Sequence, residues 1–91
     1  MGTRGRSDWP KWWDWELELS SHVLKRRVDR RFTELDLRSM MTAATDLRPD
    51  AEPGRWVVET AREAVPWEVI VEPDEGAHLI VVITAYPVSA P

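Results

Sequence analysis

The chain has 91 residues, a formal net charge of −4, six tryptophans and no cysteine. A chain of this length forms one domain and buries only about 60 to 65% of its unfolded surface, while 43% apolar and 31% charged residues favour a packed globule over a disordered chain. The missing cysteines exclude disulfides and thiolate metal sites, and the only two histidines, His22 and His78, are too far apart in sequence to suggest a zinc set.

Residues 1–11 mix Gly, Arg and Ser without periodicity and are expected to be a mobile tail, with a single α+β domain over residues 12–88. Met1 to Lys11 carries no apolar stretch of the signal-peptide kind, and the longest apolar run, Leu79 to Ile83, is too short to cross a bilayer. A cytoplasmic protein without membrane contact is expected. Trp9, Trp12 and Trp13 are too apolar to stand bare in water, so they are expected to cover an edge of the core or a partner surface.

From Asp14 to Leu19 the chain alternates, with Trp15, Leu17 and Leu19 on one side and Asp14, Glu16 and Glu18 on the other, which is the pattern of a half-buried strand. Ser20 or Ser21 then caps a helix running to about Arg31. Its buried stripe is expected at Leu24, Val28 and Phe32. Thr33 to Asp36 has the form of a capping box and opens a second helix, with Leu37, Met40, Met41 and Ala44 facing the core. Asp46 to Gly54, with two prolines, is expected to be a loop. Arg55 to Thr60 and Trp67 to Glu72 follow as an antiparallel hairpin, with Trp56, Val58, Trp67, Val69 and Val71 inward. Glu72 to Gly76 is a turn, and Leu79 to Thr84, apolar on both faces, is a strand flanked by others. His78 is expected to be a strand-end residue. The expected fold is α+β, in the order β-α-α-β-β-β, with an antiparallel or mixed sheet and a helical hairpin on one face.

Charge is unevenly spread. Residues 22–38 hold six basic and three acidic side chains, a net +3, which leaves −7 for the rest of the chain. A helix turns about 100° per residue, so His22, Arg26 and Arg30 fall on one face within about 80° of arc. One imidazole, whose ordinary pKa is near 6.5, and two guanidiniums suited to phosphate oxygens share this edge. The same spacing also describes an ordinary solvated helix face.

His22-x3-Arg26-x3-Arg30-x-Phe32, then Gly54 to Thr60, Pro66 to Asp74 and Val81 to Pro87, resemble a small bacterial domain family similar in fold order to the RelE, ParE and BrnT toxins of toxin–antitoxin systems. The resemblance spans about residues 14–88. It implies a compact toxin-like fold, with RNA cleavage in RelE-like and BrnT-like members and action on a DNA-topology enzyme in ParE-like ones. By this resemblance His22, Arg26 and Arg30 match a helix motif, Arg55 and Trp56 a second-strand motif, and Thr84 and Tyr86 a last-strand motif. Glu59, Glu68 and Glu72 depart from the basic strands of RelE-like ribonucleases.

A metal-free ribonuclease needs a base, an acid and cations for the phosphate charge. His22, Arg26 and Arg30 are the catalytic candidates, and Lys25, Arg55, Glu68 and Tyr86 the substrate-binding ones, with Glu68 or Tyr86 as the second proton carrier. The alternative for Arg55 is pairing with Glu68 or Glu59 across strands. No metal and no cofactor are expected, and the expected partners are an antitoxin protein and RNA. The alternative is a binding module in which the His22/Arg26/Arg30 edge docks an acidic protein and no bond is broken.

Overall fold

The computed structural model describes residues 9–30 and 32–88, with the side chains of residues 26–30 left aside. Five strands form one sheet in the order β1-β5-β4-β3-β2: β1 Glu16–Leu19, β2 Asp46–Pro49, β3 Trp56–Arg62, β4 Val65–Asp74 and β5 Leu79–Pro87. β1 runs parallel to β5 and the other neighbours are antiparallel, so the sheet is mixed. Helices α1 (Ser21–Arg30) and α2 (Glu34–Thr42) pack on the same face, α1 against β5 and α2 against β3.

That face holds the core. Alternation along the strands sends Val58, Trp67, Val69, Val71, Ile80, Val82 and Ala85 toward the helices, where they meet Val23, Phe32, Leu37, Met40, Met41 and Ala44. The α2 stripe therefore lies where its spacing predicts. The expected stripe of the first helix holds in part: Phe32, just past α1, is buried, Leu24 is not, and the side chain of Val28 lies outside the described residues. Val23 is fully buried and Leu24 is 40% exposed, so the helix is rotated by about one position from the expected arc. The cause is the N-cap. The Ser20 N–H donates to Val82 O at 3.0 Å and its hydroxyl to Ile83 O at 3.0 Å, while Ser20 Oγ accepts from Val23 N–H at 3.2 Å. Ser20 thus both caps α1 and fastens its first turn to β5, and Val23 is the first side chain that this anchoring points inward.

Thr33 and Asp36 form the expected capping box of α2: Asp36 N–H donates to Thr33 Oγ1 at 3.1 Å, and Thr33 N–H to Asp36 Oδ2 at 2.8 Å. The second oxygen contact extends the cap to the sheet, since Arg62 Nη2 on β3 also donates to Asp36 Oδ2, at 3.2 Å. The buried Thr60 hydroxyl donates to Met40 O and ties the end of α2 to the same strand.

Two segments differ from expectation. The expected strand from Asp14 is shorter, because Lys11–Asp14 form a 3-10 turn and the strand starts at Glu16. The turn buries Trp12, and Trp9 and Trp13 pack against the core as well, so the tryptophans close one end of the sandwich from Trp9 onward. The expected loop from Asp46 begins instead as strand β2, paired to β3 through Asp46↔Glu59 to Pro49↔Trp56. Proline at its last position is tolerated because β2 is an edge strand. Asp50 N–H bonds across to Arg55 O at 2.9 Å, so alternation points the N–H positions of Leu47 and Pro49 outward. The Leu47 N–H is taken by Asp46 Oδ1 at 2.9 Å and Pro49 has none, which blocks edge pairing with another chain.

The β3–β4 hairpin closes with two residues, Glu63 and Ala64, at φ of 54° and 67°. Both lie in the left-handed region, the backbone of a type I′ turn, in a loop that contains no glycine. His78, also left-handed at φ 55°, ends the turn before β5 and stacks on Trp15 with ring centroids 4.7 Å apart.

Candidate functional site

The sheet separates two groups of charged residues. On the helical side, α1 presents exposed His22 and Lys25 beside the buried anchor Val23. Arg26 and Arg30 belong to the same helix, and their side chains lie outside the described residues. Among the described residues no hydrogen bond or ion pair joins His22 to a carboxylate or a phenol.

On the other face of the sheet, strand alternation brings together Arg48, Glu59, Glu68 and Tyr86, as well as Arg55 and Glu72. Tyr86 OH donates to Glu68 Oε1 at 2.8 Å, and Arg48 Nη2 donates to Glu68 Oε2 at 3.0 Å. Arg48 Nε bonds Glu59 Oε2 at 2.9 Å, so one guanidinium bridges two carboxylates that face each other in register. Without it Glu59 and Glu68 would stand as like charges directly opposite. Arg55 Nε donates to Glu72 Oε1 at 3.2 Å. Val57 is only 2% exposed although the helices lie on the other face, and its register neighbours there are Arg48 and Ile70.

The charges shift the groups in step with these contacts. Burial raises the Tyr86 phenol above its ordinary value, and the bond to Glu68 and the charge of that carboxylate raise it further. The bond to Glu59 raises the Arg48 guanidinium, which stays protonated throughout. At the far end of the helical layer, the bond from the Thr33 backbone is foremost in holding the Asp36 carboxyl below its ordinary value.

The expected residues thus divide. Glu68 and Tyr86 are joined directly, Arg55 lies on the same face and pairs with Glu72 rather than Glu59 or Glu68, and His22 and Lys25 lie on the helical side. Arg48, unmarked in the sequence because its segment reads as a loop, is the cation that organises Glu59 and Glu68. The alternation of Asp46, Leu47 and Arg48 before Pro49 is the one signal of a strand there. The face that carries Tyr86 also receives Glu16, Glu18, Asp46, Glu72 and Asp74 by register, so carboxylates outnumber its arginines. Such a face repels a polyanion.

Among the described residues no group of three or more His, Asp or Glu side chains is arranged to hold a metal ion, and no helix is long and apolar enough to cross a membrane. Compared with protein families, curated proteins and solved structures, the chain matches none.

Proposed function

We propose that the chain is a toxin-like small domain of a toxin–antitoxin-type system that acts on RNA through the exposed edge of α1, as a metal-free endoribonuclease. The observation that carries this reading is the division of charge by the sheet: carboxylates crowd the uncovered face, while helix α1, whose segment is rich in basic residues, lies on the other side with His22 and Lys25 exposed. A phosphate backbone is then attracted to one side only. His22 is the group on that edge able to move a proton, with Lys25, Arg26 and Arg30 holding phosphate oxygens. The order of strand, two helices and strands is that of an α+β domain, with the additional edge strand β2 between α2 and β3.

A second reading is favoured by one specific contact. Tyr86 and Glu68, the candidate second proton carriers, bond each other on the opposite face, so neither reaches a phosphate held on α1. On this reading the same edge docks an acidic protein and cleaves nothing.

Fluorescence anisotropy of a labelled single-stranded RNA tests the surface itself. Saturable binding that weakens with salt and weakens further in Lys25→Glu supports α1 as the RNA edge. Binding equal in wild type and Lys25→Glu places the RNA elsewhere and overturns both the surface and the chemistry assigned to it.

A further inference from the structure

The sheet face turned away from the helices carries an apolar stripe as well as its charges. Leu17 and Leu19 pack toward the core, so strand alternation turns Glu16 and Glu18 of β1 outward, and the buried Ile80 and Val82 do the same for Leu79, Val81 and Ile83 of β5. On β4 the outward residues next to them are Glu72 and Asp74. The register sets these charges in two rows. Leu79 stands between Glu16 and Asp74, and Val81 between Glu18 and Glu72. Val81 and Ile83 line a groove of about 450 Å³ together with Glu72 and Asp74. The three apolar side chains are half-buried, although both helices lie across the sheet from them. Glu16, Glu18 and Asp74 are exposed and form no ion pair among the described residues, while Glu72 bonds Arg55.

We infer that this face docks a cationic amphipathic helix of a partner protein, its apolar stripe on Leu79, Val81 and Ile83 and its lysine or arginine side chains over the two acidic rows. Neighbouring strands lie about 4.8 Å apart, so the rows on β1 and β4 stand about 10 Å apart with β5 between them. A helix with its side chains is about 10 to 12 Å across. Laid along β5, it sets an i, i+3, i+4, i+7 face on the stripe and both shoulders over carboxylates. Charge decides against the other occupants. RNA and an anionic membrane are repelled by both rows. A second copy docking by the same face sets like charges against each other. A second copy docking by its basic α1 segment, which lies across the sheet from the groove, leaves its own groove open and builds an unclosed chain. The net −7 outside residues 22–38 draws in a basic partner. This inference is independent of the role of α1, which stays uncovered when the opposite face is occupied.

The test titrates the full chain with three blocked synthetic peptides and follows its backbone amide signals in a two-dimensional nitrogen–proton NMR spectrum. The first peptide is a designed helix with leucines in one stripe and lysines on both sides of it. The second has the same composition with the leucines scattered around the helix, and the third carries glutamate in place of every lysine. The expected result is saturable movement of the signals of residues 16–18 and 79–83 with the striped lysine peptide, binding at least tenfold weaker for the scattered one, and none for the glutamate one. Glu16→Gln/Glu18→Gln is expected to weaken the striped peptide about fivefold or more while the spectrum stays that of the folded chain, as for loss of two exposed charge contacts. Val81→Thr should weaken it as well, through the stripe and not the charge. No binding of the striped peptide, equal binding of the scattered one, unchanged affinity in either variant, or movement confined to the signals of α1 and α2 would each overturn the assignment. Movement of the signals of residues 16–18 and 79–83 on dilution of the wild-type chain without peptide assigns the face to a second copy and overturns the partner.

Discussion

The Tyr86 hydroxyl donates to Glu68 Oε1 at 2.8 Å on the sheet face turned away from α1, the helix that carries His22. A phenol and a carboxylate from adjacent strands are thereby committed to each other, with Arg48 on the second carboxylate oxygen.

Tyr86→Phe removes that bond from a partly buried site and is expected to cost about 0.5 to 1.5 kcal/mol at neutral pH. The phenol is raised in the folded chain, so its contribution is complete below the ordinary tyrosine value of 10.0 and is lost as pH rises through the folded value. Urea unfolding of wild type and Tyr86→Phe at neutral and strongly alkaline pH checks both points. The stability gap should narrow at high pH, and a constant gap contradicts the raised phenol.

Arg48→Met is expected to destabilise the chain, because Glu59 and Glu68 are left opposite each other without a cation. A double variant that also carries Glu59→Gln should recover most of the loss. No recovery in chemical denaturation would show that Arg48 acts through its stem alone.

Much of this fold is legible in the sequence and some is not. The α2 stripe at Leu37, Met40, Met41 and Ala44 reads directly because a capping box fixes where the helix begins. The α1 stripe reads wrongly at Leu24, because its rotation is set by Ser20 bonding to Val82 and Ile83, more than 60 positions away in the chain. β2 is hidden for a similar reason. Four residues ending in proline carry no more strand signal than the short alternation of Asp46, Leu47 and Arg48, and they form a strand because β3 offers an edge. Arg48 is lost with it, and so is the reason that Glu59 and Glu68 can share a face. The helix motif at His22, Arg26 and Arg30 is visible by spacing, but spacing does not tell that Glu68 and Tyr86 stand across the sheet from it.

Val23→Ala and Leu24→Ala separate the two accounts of α1. Val23 is fully buried and Leu24 is 40% exposed. The first is expected to cost about 2 to 3 kcal/mol and the second well under about 1 kcal/mol. Thermal melts that reverse this order would place the buried stripe where the spacing first suggests.

The two-residue turn at Glu63 and Ala64 offers a gain. Ala64 sits at φ 67°, where a side chain costs about 1 to 2 kcal/mol. Ala64→Gly should therefore stabilise by about 0.5 to 1 kcal/mol after the added chain entropy of glycine. A lower midpoint of unfolding in Ala64→Gly would contradict the left-handed turn.

Thr33→Ala removes one arm of the capping box and is expected to cost about 1 kcal/mol. Asp36 is lowered in the folded chain, so its contribution is present above its ordinary value of 3.8 and lost as pH falls through the folded value. Asp36→Asn should accordingly flatten the acid limb of stability. An unchanged acid midpoint in that variant would contradict the lowered carboxyl.

Degradation of RNA by the purified chain in the presence of chelator, beside His22→Ala, Arg26→Ala and Tyr86→Phe, tests the function most directly. Endoribonuclease chemistry on α1 predicts cleavage by wild type and by Tyr86→Phe, and loss of cleavage in folded His22→Ala and Arg26→Ala. No cleavage by any of the four, or equal cleavage by all, contradicts catalysis on this helix and leaves its basic edge as a docking surface.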